Sequence, residues 1–175
     1  MALFKNTECR IRDSGNRREF ESGAVRDIQE GKGRCDLLPL DAVANVYLCA
    51  GGLTMSNIVH FIRGYQTTGS VEYLIKALAE FNREYFKGDY HSMFLEVSIH
   101  FEEGAKKYGV DNWKKGIPTN CYIDSALRHF FKYLRGDTDE PHGRAFVWNL
   151  LACIWTCDNK PELNVYKREE TVESE

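Results

Sequence analysis

Three stretches of the 175-residue chain gather side chains able to do chemistry. In the first, Glu96, His100, Glu103 and Lys107 follow one another at steps of four, three and four, which on a helix places all four on one face. Two carboxylates and an imidazole so arranged can hold a cation, and Glu102 adds another carboxylate if that face is buried. The same residues also suit a solvated stripe with a Glu103 to Lys107 ion pair. In the second stretch Asp124 and Arg128 stand four apart, with His129 on the adjoining face, which is either a surface ion pair or part of a site. In the third, Asp139, Glu140 and His142 crowd a helix start, where acids also simply answer the helix dipole. Asn149 lies seven residues past His142 among Phe146, Val147, Trp148 and Leu150, and a buried amide there must be hydrogen-bonded.

Between the first two stretches runs a glycine-bounded polar loop that carries Asn112, Trp113, Lys114 and Lys115. Trp113 has no helical or strand stripe to join, so it is either a hydrophobic plug or the wall of a pocket. As a wall it would stack on a base, with a neighbouring lysine neutralising phosphate. Acids, imidazoles and cations carried on successive helices can line one bundle cavity. Hard oxygen ligands beside phosphate suit Mg²⁺. The segment from His100 to Asn149 is therefore expected to handle a nucleotide or its phosphates.

These groups need a scaffold, and the apolar pattern supplies one. The chain is 43% hydrophobic and 28% charged, enough for one core and one domain. Residues 1–34 are polar and glycine-punctuated and read as an irregular arm docked in places. From there a helical period persists almost throughout. It predicts a helix capped by Asp36 and ended at Gly51, a second from Thr54 or Ser56 to about Arg63, and a loop over Gly64 to Gly69. Further helices are predicted over 70–86, 90–108, 119–134 and 140–156, the last buried through Phe146, Leu150, Cys153 and Ile154. The expected fold is all-α, a single-domain bundle of about six helices. A domain over 35–158 follows the arm, and 159–175 reads as an acidic, flexible tail.

The formal net charge of −3 offers no global attraction to a nucleic acid polymer. No apolar run reaches the length of a membrane span, and no signal peptide opens the chain, so a cytoplasmic setting with reduced thiols is expected. The six cysteines lack zinc-ribbon spacing, and the Cys153 and Cys157 pair suits packing on one helix face.

Four runs resemble a known family: Ser22-Gly-Ala-Val-Arg-Asp-Ile-Gln-Glu-Gly-Lys-Gly-Arg-Cys-Asp-Leu-Leu-Pro39, Glu103-Gly-Ala-Lys-Lys-Tyr-Gly-Val-Asp-Asn-Trp-Lys-Lys-Gly116, Asp124-Ser-Ala-Leu-Arg-His129 and Asp139-Glu-Pro-His142. They are similar to the phage and prophage family of dATP/dGTP diphosphohydrolase N-terminal domains, over about 20–39 and 93–157. Residues 48–92 then form an elaboration. The family is related to the MazG-like all-α pyrophosphohydrolases, so the resemblance implies Mg²⁺- or Mn²⁺-dependent cleavage of a nucleoside triphosphate to monophosphate and pyrophosphate, in host cytoplasm. It also implies a homo-oligomer. The MazG pattern departs here: after Glu102 and Glu103 its third acid position is Lys106, and no Glu-x-x-Asp follows.

On that reading the metal ligands come from Glu102, Glu103, Asp124, Asp139 and Glu140, and the catalytic groups are Glu103, Asp124, His129 and His142. Arg26, Lys32, Arg34, Lys107, Lys115 and Arg128 form the pool for the triphosphate, and Asn112, Trp113 and Asn149 complete the pocket. Two other readings stay open: a nucleotide-binding protein without turnover, which would sequester a host defence signal, and a purely structural module.

Overall fold

The computed structural model describes residues 15–167. Six α-helices form the body: α1 (Leu40–Cys49), α2 (Leu53–Thr68), α3 (Val71–Tyr85), α4 (Tyr90–Tyr108), α5 (Thr119–Arg135) and α6 (His142–Asn159). The fold is an all-α bundle, as expected. Among the described residues no helix is long and apolar enough to cross a membrane.

The bundle is built around α6. Its buried residues, which include Arg144, Phe146, Val147, Asn149, Leu150 and Cys153, lie on nearly every side, as in a helix enclosed by neighbours. Against it α3 presents a single apolar stripe of Leu74, Ala77, Leu78 and Phe81. The ring of Phe146 on α6 meets Phe81 on α3 and Phe130 on α5 at centroid distances of 4.8 and 5.2 Å, so one aromatic cluster ties three helices together. Cys153 is fully buried near the Tyr65 hydroxyl, while Cys157 on the same face is half-buried and meets that hydroxyl at 3.1 Å.

The bounds of α4 match its sequence pattern because both ends carry local signals. The Asp89 side chain accepts a hydrogen bond from the Ser92 amide, and Gly109 at φ 92° closes the other end. At α2 the structure corrects the expectation: the helix continues through Gly64 to Thr68 without a loop. Gly64 is needed for close packing and makes no turn, since a Cβ there would collide with the Tyr73 ring of α3. Tyr65, just beyond it, is fully buried. Asp36 does not cap α1 either. It lies in a 3-10 turn, Cys35–Leu37, and its carboxylate accepts from Arg34 Nε at 2.7 Å and Nη2 at 2.5 Å.

The arm is more ordered than its sequence suggests. Strands β1 (Arg17–Glu19) and β2 (Val25–Asp27) pair antiparallel, Arg18 opposite Arg26, in a hairpin too short to show a period of two. Residues 1–14 of the arm, with Cys9, and residues 168–175 of the tail lie outside the described residues.

Candidate functional site

The hairpin does not hang free. Asn112, in the 3-10 turn Asn112–Lys115 after α4, uses its side-chain amide as a strand would. Its Oδ1 accepts from the Val25 amide at 3.0 Å, and its Nδ2 donates to the Val25 carbonyl at 2.9 Å. Asp124 of α5 makes the second anchor. Its carboxylate accepts from Gln29 Nε2 at 2.7 Å, from the Cys35 amide at 2.6 Å and from Arg128 Nη2. The arm is thereby clamped to α5 and the turn after α4, and a cavity of about 660 Å³ lies beneath it. That volume is in the range that takes a small organic ligand.

Six basic side chains line the cavity against five acids, a local excess of positive charge in a chain of net charge −3. Arg26, from β2, reaches the wall formed by α5 and α6. Its Nη2 donates to Asn149 Oδ1 at 2.9 Å and to Ser125 Oγ at 3.2 Å. Its guanidinium also lies over the Tyr122 and Trp148 rings at 5.2 and 5.8 Å. Asn149 is fixed for this by giving its own Nδ2 proton to the Ala145 carbonyl at 2.8 Å. Lys32 and Lys107 both approach Asp27, at 3.9 and 3.3 Å, and the Tyr108 hydroxyl donates to the same carboxylate. Burial, with the charges of Arg128 and Lys107, draws the Lys32 ammonium below its usual value despite Asp27 and Glu140.

The wall also carries unpartnered polar atoms. Arg26 Nη1, Arg128 Nε, Trp148 Nε1 and His100 Nδ1 are buried without a hydrogen-bond partner, and all four belong to cavity-lining residues. Each buried polar group left unpaired costs about 1–3 kcal/mol. Three of the four can only donate, so what they lack is an acceptor.

At one end of the cavity stands a cluster of imidazoles and carboxylates. His129 and Glu140 line the wall, and His142 lies behind them with its side chain fully buried. The two Nδ1 atoms are 2.9 Å apart, and His142 Nε2 meets Asp139 Oδ1 at 2.8 Å. Burial keeps His129 neutral by pulling its pKa well below the usual value, and the other histidine and nearby cations act in the same direction. Burial opposes the Asp139 charge, but hydrogen bonds from His142 and Lys132 outweigh it and hold the carboxyl at about 2.

Of the residues expected to bind substrate, Arg26, Lys32, Lys107, Asn112, Trp113, Arg128 and Asn149 line the cavity, whereas Arg34 and Lys115 do not. Arg34 is engaged with Asp36, and Lys115 is exposed and donates to the Gly23 carbonyl at 3.3 Å. Asn112 has both amide groups committed to Val25, which makes it a clamp. Trp113 is both wall and plug, edge-on to Phe101 and Trp155 at 5.5 and 4.9 Å. The five acids expected to share a metal do not assemble. Glu102 is exposed and paired with Lys106, Glu103 lies off the cavity wall, and Asp124 is consumed by the arm, which leaves Asp139 and Glu140 beside the histidines. Spacing gave no signal for Asp27, Gln29, Ser125 or Tyr108. His100 was legible from its helical face.

The fold and the site define an all-α domain with a donor-rich cavity bordered by its own N-terminal arm. Residues 85–165, from the end of α3 through α6, match the family described as dATP/dGTP diphosphohydrolase, N-terminal. The match contains His100, Asp124, His129, Glu140, His142 and Asn149 but stops short of Arg26 and Lys32. No curated protein and no solved structure matches the chain.

Proposed function

We propose that this protein is a (deoxy)nucleoside triphosphate diphosphohydrolase, acting on dATP or dGTP in the nucleotide pool of a phage-infected cell. One observation carries the reading: the buried donors Arg26 Nη1, Arg128 Nε and Trp148 Nε1 lack acceptors on the wall of a nucleotide-sized cavity. A polyphosphate is rich in acceptor oxygens and negative charge, and it complements both the unpaired donors and the crowded cations. The family name supports hydrolysis of this substrate class.

In this reading Arg26, Lys32 and Arg128 hold the phosphates, while Trp148 and Trp113 offer apolar surface to the base. Water attacks the α-phosphorus, the bond from it to the α–β bridging oxygen breaks, and monophosphate and pyrophosphate leave. Charge developing on the leaving group falls on fixed cations. Asp124, saturated by the arm, is not free to activate the water, so activation falls to the end of the wall that carries His129 and Glu140. The Mg²⁺ or Mn²⁺ of the resemblance is proposed to enter with the triphosphate, since five carboxylates do not converge to cage it. The homo-oligomer and cytoplasmic setting belong to the same proposal. Incubating the purified protein with each deoxynucleoside triphosphate and Mg²⁺ or Mn²⁺, and quantifying monophosphate and pyrophosphate, tests it. No turnover of any nucleotide sinks the hydrolase reading.

The commitment of Asp124 favours a second reading, a protein that binds and sequesters a nucleotide without cleaving it. Release of an intact nucleotide from heat-denatured protein after incubation is its signature.

A further inference from the structure

We propose that His129, His142 and Glu140 bind one first-row divalent transition ion at the end of the cavity, a site distinct from the carboxylate Mg²⁺ set expected from the sequence. The two Nδ1 atoms are 2.9 Å apart, and Glu140 Oε1 lies 3.8 Å from one and 3.9 Å from the other. Three potential ligand atoms, from α5, the start of α6 and the turn before it, thus lie within 4.8 Å of one another. Two ring nitrogens about 2.0–2.1 Å from one ion stand about 3 Å apart when they occupy adjacent positions. The rings already hold that spacing.

The surroundings of His142 point the same way. Asp139 Oδ1 receives its Nε2 proton at 2.8 Å, while Lys132 holds the other Asp139 oxygen at 3.2 Å. With Nε2 engaged there, Nδ1 is the ring atom that His142 turns toward His129. Metal-binding imidazoles are commonly oriented by a carboxylate in this way. Two imidazoles and one carboxylate favour borderline ions such as Zn²⁺, Co²⁺ or Fe²⁺ over Mg²⁺, which demands oxygen ligands. Because His142 is enclosed while His129 and Glu140 reach the wall, the remaining coordination positions open into the cavity, near Lys32 and Arg128. That such an ion would then meet a phosphate oxygen rests on the nucleotide reading; its binding does not.

The alternative is a plain hydrogen bond in which His129 Nδ1–H donates to His142 Nδ1, with no ion. Metal-free protein titrated with Co²⁺, without nucleotide, distinguishes the two by the visible absorption of the bound ion. We expect a single saturating equivalent that Zn²⁺ displaces and excess Mg²⁺ does not. Asp139→Asn should weaken it about 10–100-fold. Glu140→Gln and His142→Gln should weaken it at least as much, and Glu103→Gln should leave it unchanged. Thermal melts of the metal-free variants check that each is folded, and the two carboxylate variants carry the test if His142→Gln is not. Absence of Co²⁺ binding by folded wild type, or binding untouched by both Glu140→Gln and Asp139→Asn, overturns the site. Calorimetry with dATP on metal-free protein is read separately. Nucleotide binding without Co²⁺ binding overturns only the metal site, and Co²⁺ binding without nucleotide binding overturns only the nucleotide reading.

Discussion

Arg26 in the hairpin donates to the side chain of Asn149 in α6 at 2.9 Å, across 123 residues of sequence. This bond sets the reach of the guanidinium into the cavity, while Asn149 itself is locked to the Ala145 carbonyl. Asn149→Ala should therefore weaken nucleotide binding although Asn149 need not touch the ligand. A hydrogen bond to a charged group is worth about 1.5–3 kcal/mol, so dATP affinity measured by calorimetry should fall about tenfold or more. Arg26→Lys should not preserve affinity, because Nη2 alone serves both Asn149 and Ser125, and the unpaired Nη1 left for the ligand has no counterpart in an ammonium.

Asp124 is predicted to act on stability before it acts on chemistry. Its carboxylate, 1% exposed, holds Gln29, the Cys35 amide and Arg128. Asp124→Ala leaves a partly buried arginine uncompensated and unpins the arm, a loss of about 3 kcal/mol in denaturant unfolding. Faster amide exchange over residues 28–35 should accompany it. An unchanged midpoint with normal exchange would show that Asp124 does not anchor the arm.

His100 gives the fold a pH dependence. Burial, with the charges of Arg144, Arg26 and Lys107, lowers its pKa from 6.5 to about 3. A histidine whose folded pKa is depressed takes up its proton more readily when unfolded. Its neutral form therefore costs no stability above pH 6.5, and stability is lost progressively as pH falls from 6.5 toward 3. At pH 5 the loss from this group is about 2 kcal/mol. The slope of unfolding free energy against pH over that window should be shallower in His100→Gln than in wild type. Equal slopes would contradict the assignment.

Gly64→Ala separates two meanings of one glycine. In a helix interior alanine is favoured over glycine by about 1 kcal/mol. Here the added methyl meets the Tyr73 ring, and overpacking of this kind costs about 1–3 kcal/mol. The variant should melt below wild type, and a higher melting temperature would show that α2 and α3 are packed more loosely than described.

Gly64 also shows which parts of the structure were legible in the sequence. Where structure follows from local signals it could be read: α4 runs from its Asp89 cap to Gly109, and the apolar stripe of α3 is plain. Gly64 misleads because the same residue serves turns and close helix contacts, and only the partner helix tells which. The site divides in the same way. His100, Arg128, His129 and Trp113 lie on readable faces or in a readable loop, and each lines the cavity. Their allegiances were not readable, because they arise from contacts such as Asn112 with Val25, 87 residues apart, and Gln29 with Asp124, 95 apart. Spacing along a helix carries no information about such pairs. The acids therefore looked like one metal set, whereas folding spends Asp124 on the arm and Glu102 on Lys106.

The most direct test of the account is calorimetric titration of the purified protein with dATP, dGTP and inorganic triphosphate, in wild type and Arg26→Ala. The account predicts saturable binding of the nucleotides, weaker binding of triphosphate alone, and a loss of at least about tenfold in the variant, as expected for removal of a charged hydrogen-bond donor. Absence of nucleotide binding by folded wild type, or affinity unchanged in folded Arg26→Ala, would contradict it.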